Sequence, residues 1–417
     1  MKNNILFGIT IILLLLLCCT LPAAASDNTL GIFGNANEDG TINMQDVEYT
    51  QRIILGLDNQ TELADAKYDD KVDILDVTQI ELIILGRENE LTILQYLEKP
   101  EYHEEPVTVP MPIERIVVLG GSYGPETFCA FGEQDKIVGV GGAAKKRGEL
   151  KTFVENIPSV GGYTKWDMEK IIELKPDIVV AYAHMSYSDY ETMLNAAGIP
   201  LVQMDFSYPK KYSREIGNLG WILHRQERAE ELINFEQQYL ALIEERVEGL
   251  EDEQKPRVYF ESYQDHRTCG PGSGDDDCIR ACGGINIFAD ATMTSIDIDS
   301  EAVIDRNPQI ILKKMWVGSV PSGYDVTDTG PMEVLRNDIM DRSGYDHLDA
   351  VKNGRVHLIS TDSKSTHSCV YCSYIAKWLH PELFEDLDPE AIHAEWLEKF
   401  LGIEYNGVYA YPPLEES

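Results

Sequence analysis

Between residues 35 and 46, oxygen-bearing side chains recur at a spacing that suits a hard divalent cation. Asn35, Asn37, Asp39, Asn43 and Asp46 take positions 1, 3, 5, 9 and 12 of the stretch, Gly40 takes position 6 and Thr41 position 7. An EF-hand-like calcium loop needs side-chain oxygens at those offsets, a glycine at the sharp turn and a backbone carbonyl at position 7. A second copy follows thirty residues later. It keeps Asp65, Asp69, Asp73 and Asp76 at positions 1, 5, 9 and 12, but Lys67 takes position 3 and Asp70 replaces the glycine. A cation at a ligand position opposes the metal. This copy is therefore expected to be weak or empty, or to hold the Lys67 ammonium where calcium would sit.

The repeat extends beyond the loops. Asp46-Val47 maps to Asp76-Val77, and Ile53-Ile54-Leu55-Gly56 to Ile83-Ile84-Leu85-Gly86, so each copy is an acidic loop followed by an apolar helix that ends at glycine. This pattern resembles the type I dockerin module. The resemblance implies a small all-helical calcium module over residues 30–97 that docks a cohesin-type protein. Calcium would contribute much of the stability of so small a core. Residues 98–112 carry Pro100, Pro106, Pro110 and Pro112 among glutamates and read as an extended linker.

The elements that follow must come from more than one domain, because 417 residues exceed what one core usually supports. A net charge of −36 argues against nucleic acid as a partner. Residues 1–25 read as a signal peptide cleaved near Ala25: Lys2, an apolar run over residues 5–18, then Ala23-Ala24-Ala25. A lipid anchor at Cys18 or Cys19, or an uncleaved anchor, is the alternative. Either way the mature chain is expected outside the cytoplasm. Its cysteines, Cys129, Cys269, Cys278, Cys282, Cys369 and Cys372, are then expected as local disulfides or free thiols, with a metal centre as the alternative.

Residues 113–208 and 256–405 each alternate short buried strands with helices, which implies parallel sheets covered on both faces. Between them, residues 211–250 carry apolar positions at three-and-four spacing. The longer part, from residue 227, would span about 36 Å as a helix. The halves repeat a motif. Glu169 opens an amphipathic stretch that ends at Pro176 before an apolar run, and Glu301 does the same before Pro308.

At this point the chain resembles the single-helix-linked substrate-binding proteins of ABC importers, which carry cobalamin, ferric siderophores, haem or, in some branches, molybdate or tungstate. The residues that carry the resemblance are Ile113-Glu-Arg-Ile-Val-Val-Leu119, Val160-Gly-Gly162 with Met168-Glu169, Lys175-Pro-Asp-Ile-Val-Val180, Ala196-Ala-Gly-Ile-Pro200, Cys282-Gly-Gly-Ile-Asn286 and Asn353-Gly-Arg-Val356. It implies two Rossmann-like lobes joined by one long helix and a metal-chelate ligand in the cleft between them. It also implies a membrane permease as partner, with Glu169 and Glu301 as its docking carboxylates. The chain is expected as a monomer with no catalytic cofactor.

Ligands of open α/β sheets lie beyond the C-terminal strand ends. The loops there supply Tyr123, Lys145, Arg147, Trp166, His184 and Tyr208 in the first half, with Ser122, Lys146 and Tyr182 beside them. The second half supplies Tyr263, His266, Arg267, Trp316 and Tyr371, with Asp362 and His367 beside them. Aromatic faces suit a large flat ligand, and the cations suit its carboxylates or an oxyanion. Gly270–Gly274 reads as a cleft-edge loop, with Asp275-Asp276-Asp277 set to repel anions. A dockerin-bearing hydrolase or a metal-cluster redox protein is the rival reading, but no nucleophile elbow or His-Glu-x-x-His motif appears.

Overall fold

The structure is a computed structural model, and it describes residues 29–98, 102–119, 121, 123–162 and 164–414. The signal segment and Ser122 lie outside the described residues. The N-terminal repeat forms helices α1 (Met44–Ile54) and α2 (Ile74–Ile84). Each starts in a capping box, Asn43 with Asp46 and Asp73 with Asp76. Each ends at a glycine with positive φ, Gly56 at 71° and Gly86 at 61°, a conformation that costs glycine little.

The stretch expected as a linker instead carries a strand, and the module expected to be all-helical ends in one, because the two pair with each other. β1 (Glu90–Leu97) pairs antiparallel with β2 (His103–Pro110) along their full length. The prolines of β2 do not prevent this, because it is an edge strand with its other side unpaired in the sheet. Three elements anchor the hairpin and its module. Ile32 bridges to Ile93, Gln95 Oε1 accepts from the backbone of Gln203 at 2.8 Å, and Glu98 donates its N–H to Ala183 O at 3.1 Å. The module is therefore packed on the first lobe rather than tethered to it.

Lobe 1 holds a four-stranded parallel sheet in the order β4 (Ile137–Val140), β3 (Ile116–Val118), β5 (Ile178–Ala181), β6 (Leu201–Gln203). Nearly every residue of these strands is buried, as expected of a sheet covered on both faces. Its helices are α3 (Tyr123–Ala130), α4 (Lys151–Val154), α5 (Met168–Leu174) and α6 (Ser188–Ala196). Next come α7 (Pro209–Ile222), which packs on this lobe, and α8 (Gln226–Val247), about 33 Å long at 1.5 Å per residue. His224, at φ 54°, marks the break between them. Near the start of α8, Arg228 donates to Ala130 O of lobe 1; near its end, Arg246 pairs with Asp386 at 2.6 Å. The helix joins the lobes.

Lobe 2 contains strands β7 (Arg257–Glu261), β8 (Arg267–Cys269), β9 (Ile285–Asn286), β10 (Ser295–Asp297), β11 (Ile310–Met315), β12 (Gly323–Tyr324), β13 (Val356–Ser360), β14 (Gly407–Val408) and β15 (Ala410–Tyr411). The main sheet runs β15-β13-β11-β7-β9, parallel except for the edge strand β15. Its helices are α9 (Gly274–Ala281), α10 (Ser300–Arg306), α11 (Gly330–Met340), α12 (Asp349–Lys352), α13 (Ser368–Leu379) and α14 (Pro389–Trp396). Helix α9 stops at Ala281, because Gly283 turns the chain with φ 73° and β9 follows. The architecture is two α/β lobes with parallel sheets joined by α8. One apolar core runs from Leu30 and Ile32 through Ile116 and Phe235 to Phe400, so the module and both lobes share it.

Candidate ligand-binding cleft

The C-terminal strand ends of both lobes face one cleft of about 550 Å³, within the range of small-molecule sites. Lobe 1 contributes Tyr123 after β3, Tyr182 and His184 after β5, and Tyr208 after β6; lobe 2 contributes Tyr263 after β7, Trp316 after β11 and Lys364 after β13. The lobe 1 wall is a chain of rings. Tyr123 meets Tyr182 edge-on at 6.2 Å, Tyr182 lies 4.8 Å from His184, and His184 lies 6.3 Å from Tyr208. Opposite, Tyr263 and Trp316 are 6.4 Å apart, and Lys146 reaches across from lobe 1 to sit 4.8 Å above the Trp316 ring. Two aromatic walls suit a flat ligand.

The charges lining the cleft are paired. Asp275, at the start of α9, accepts from Lys314 Nζ and Lys364 Nζ, both at 2.9 Å. Burial alone would raise the Asp275 pKa, but the two ammonium groups hold it well below the usual carboxylate range. Asp275 thus does not act as the repelling charge expected from its sequence; with its lysines it forms a floor with one net positive charge. At the rim, Glu98 pairs with Lys211 at 2.5 Å. His184 Nδ1 lies 2.6 Å from Oδ1 of buried Asp205, which orients the ring. Burial raises the Tyr123 pKa, so its phenol stays protonated near neutral pH.

Of the residues picked from sequence, Tyr123, His184, Tyr208, Tyr263 and Trp316 line this cleft. The others do not. Lys145 points away to the carbonyl of Glu155, and Trp166 is stacked in the lobe 1 interior between Tyr187 and Tyr190, 4.5 Å from each. His266 donates its backbone N–H to Glu261, Arg267 pairs with Asp297, and Tyr371 is fully buried.

Arg147 has a different task. Its guanidinium is buried among Glu126, Glu149 and Asp362 and donates to Ser365 Oγ at 3.0 Å, tying lobe 1 to the loop after β13. Thr127 and Thr366 hydroxyls meet at 2.8 Å beside it, and His367 Nε2 lies 3.6 Å from Glu126. Asp362 and His367 therefore belong to this joint between the lobes. Burial, with Asp362 and Glu126 adding to it, pushes Glu149 up to about 8 against the pull of Arg147.

Sequence reasoning missed Lys314, Lys364 and Glu98. The signal for the first was present, since Lys313-Lys314 inside an apolar strand marks cations that need buried partners. Lys313 indeed pairs with Glu261 at 2.7 Å.

Glu169 and Glu301 occupy equivalent exposed places in the two lobes. Each lies in the first turn of a seven-residue helix capped by an aspartate, Asp167 or Asp299, and ended by a left-handed residue, Lys175 or Asn307. In the N-terminal module, the first loop is ordered by its own oxygens. Asn35 and Asn37 Oδ1 accept from Asp39 N, Asp39 Oδ1 from Thr41 N, and Asp46 Oδ1 and Oδ2 from Asn37 N and Asn43 N. Burial, and then the Asp39 charge, raise the Asp46 pKa, so a cation among these oxygens would relieve it. In the second loop Lys67 turns out to Glu90 at 2.7 Å, so its ammonium does not occupy the place a metal would take. Among the described residues no three His, Cys, Asp or Glu side chains converge to hold a metal. Any calcium in the first loop would lean on amide and backbone oxygens.

The periplasmic binding protein family model matches residues 116–362. The chain belongs to that family. It is 26% identical over 200 residues to the vitamin B12-binding protein of Yersinia pestis (strain Pestoides F), covering 48% of this chain and 69% of the relative. Among solved structures it is similar to the TroA-like periplasmic binding protein FepB from Veillonella parvula, with 24% identity, a TM-score of 0.63, and coverage of 73% of this chain and 96% of that one. The molybdate-bound MolA of Haemophilus influenzae gives 20% identity and a TM-score of 0.61, covering 73% and 97%. Both likenesses concern the fold. The family consists of substrate-binding proteins of ABC transporters, which work outside the cytoplasm. No helix among the described residues is long and apolar enough to cross a membrane.

Proposed function

We propose that the chain captures a metal chelate between its lobes and delivers it to an ABC permease, which it meets through Glu169 and Glu301. The observation that carries the ligand class is the cleft itself: two aromatic walls over a floor whose lysines are already held by Asp275. The floor offers a single net positive charge, which falls short of neutralising a polyanionic ferric siderophore, and a bare oxyanion such as molybdate would leave both aromatic walls unused. A chelate with an amide-bearing, nearly neutral rim needs only hydrogen bonds there and ring contacts on both faces. That favours a corrinoid over a siderophore or haem, and the vitamin B12-binding relative agrees. His184, oriented by Asp205, is the side chain on the cleft wall suited to meet the metal.

The N-terminal module is read as a calcium-dependent dock for a cohesin-type partner. Its exposed apolar residues repeat with the loops: Met44 with Ile74 and Leu55 with Leu85, each more than half exposed. A duplicated apolar surface of this kind marks a protein contact.

The test is thermal stability of the calcium-loaded protein with cyanocobalamin, haemin, ferric enterobactin and molybdate. Cyanocobalamin is expected to raise Tm most, and Trp316→Ala to weaken its binding about tenfold or more. A shift with none of the four ligands would sink the chelate reading.

A further inference from the structure

The joint around Arg147 lies between the ligand cleft and α8. One turn along α3 separates Tyr123, on the cleft wall, from Glu126 and Thr127 in the joint. In the segment after β13, Thr361 and Lys364 line the cleft, whereas Asp362, Ser365 and Thr366 turn to lobe 1. Just beyond, Ser368 Oγ and the Cys369 N–H donate to Glu236 of α8. Cleft, joint and connecting helix thus follow one another along two short pieces of chain. The lobes also approach closely at this point. A Cβ on Gly148 would stand 2.9 Å from Tyr324 O and 3.1 Å from Tyr324 Cβ, so the glycine lets lobe 1 reach β12 of lobe 2. The contacts across the joint are buried. Arg147 lies 3.5 Å from Asp362 and donates to Ser365 Oγ at 3.0 Å, and Thr366 N donates to Glu126 at 3.3 Å. Parting the lobes here would strand buried charges. Nearer the solvent the lobes meet through weaker contacts, such as Lys146 over the Trp316 ring and the partly exposed Lys210–Asp277 pair.

We propose that Arg147 is a positioning residue for the ligand: its joint is the fulcrum on which the lobes move, and it sets the width of the cleft. The inference rests on the cleft being the ligand site. The lobes pivot at the joint and part at the mouth. By holding residues 361–367 against α3, Arg147 fixes Lys364 relative to Tyr123, so a shift of the joint moves both walls. A wedge at Gly148 therefore opens the cleft without altering any residue that lines it.

The experiment is Gly148→Ala in the full chain, with Gly162→Ala as control, since a Cβ there meets no atom within 4 Å. Lobe separation is read as the distance between nitroxide labels on Met193→Cys in α6 and Val334→Cys in α11, both more than half exposed. The cysteines of the described residues are buried free thiols, shielded from the label. Gly148→Ala is expected to change the label distance and to weaken cyanocobalamin binding about tenfold or more. The control should do neither. Ser365→Ala with Thr127→Val removes two hydroxyl contacts of the joint and keeps its charges. It should broaden the distance distribution, and it decides if Gly148→Ala fails to fold. An unchanged distance in Gly148→Ala, a changed distance with unchanged affinity, or a wild-type distribution in the hydroxyl variant overturns the proposal. A wild-type chain that does not bind cyanocobalamin counts against the corrinoid reading instead, and the label distances then decide on the fulcrum alone.

Discussion

Glu98 Oε1 lies 2.5 Å from Lys211 Nζ, and this ion pair joins the N-terminal module to the ligand cleft. Glu98 follows directly on β1 and lines the cleft. Lys211 in turn lies over the Tyr208 ring at 5.1 Å and 4.0 Å from Asp205, the carboxylate that orients His184. Burial lowers the Lys211 pKa, but Asp205, Glu215 and Glu98 together raise it, so the ammonium stays charged. A module on a loose tether would have no such line to the site.

Deleting residues 29–112 should therefore damage the lobes. The deletion strips Leu30, Ile32 and Ile93 from the shared core, and burial of such side chains is worth about 1.5–3 kcal/mol each. The truncated chain is expected to unfold at markedly lower urea than the full chain, whereas a tethered module would leave the midpoint unchanged. Glu98→Gln should keep the fold and release Lys211, improving binding of an anionic probe such as haemin by a few-fold at low salt. Equal haemin affinities in the two proteins would argue against this role for Glu98.

Acid should weaken lobe 2 in two stages. His357 is pushed down to about 3, by burial first and then by Arg355 and Arg336. The folded state binds fewer protons there than the unfolded state, so stability falls as pH drops from roughly 6.5 toward 3. Burial alone would raise the Glu261 carboxyl, but Arg342 and Lys313 lower it to about 2. Its contribution, about 3 kcal/mol, is complete above pH ~4.3 and lost as pH falls through 2. Glu261→Gln leaves Lys313 buried with only exposed Asp265 beside it, and should cost about 3–5 kcal/mol near neutral pH. Urea unfolding across pH 2–8 checks both, and His357→Leu should flatten the upper stage.

The lobes were legible because their strands are continuous apolar runs and because the Glu-helix-Pro-strand motif occurs twice. The aromatic part of the cleft was legible for the same reason: Tyr123, Tyr208 and Trp316 follow directly on strands whose ends could be placed. Arg147 and Trp166 were misplaced because a loop position does not say which way a side chain turns. Arg147 is drawn inward by Glu126 and Asp362, distant in sequence, together with neighbouring Glu149, and Trp166 by two tyrosines. Lys364 and Asp275 were missed as a pair because their contact joins two segments of lobe 2 that nothing local links. The hairpin was hidden by its prolines, which an edge strand tolerates.

Calcium should act mainly through the first loop. Asp46 is buried at the third position of α1 and its oxygens already order the loop through Asn37 and Asn43. Chelation is expected to lower Tm of the full chain, since the module shares the core of lobe 1. Asp46→Ala should abolish most of that calcium response, while Asp76→Ala should leave most of it, because the second loop offers Lys67 where the first offers Asn37. Calorimetric titration of both variants measures this directly. Similar calcium affinities in the two variants would show that neither loop dominates, and a larger loss in Asp76→Ala would reverse the assignment.

Glu169 and Glu301 give the sharpest separation of binding from delivery. Both are exposed at helix starts on the lobe surfaces, outside the cleft, and among the described residues neither forms an ion pair. Reversing each charge should therefore cost little stability, within about 0.5 kcal/mol for a surface site, although lysine in a first helical turn opposes the helix dipole slightly. Ligand affinity should be unchanged, since neither side chain touches the cleft. Delivery is different: if the carboxylates meet cationic residues of a permease, Glu169→Lys with Glu301→Lys puts like charges together at both contacts, and each single variant at one. The expected outcome is a stepwise loss of stimulated ATP hydrolysis by the reconstituted transporter, largest in the double variant. Unchanged stimulation by the double variant, with ligand binding intact, would show that docking uses another face.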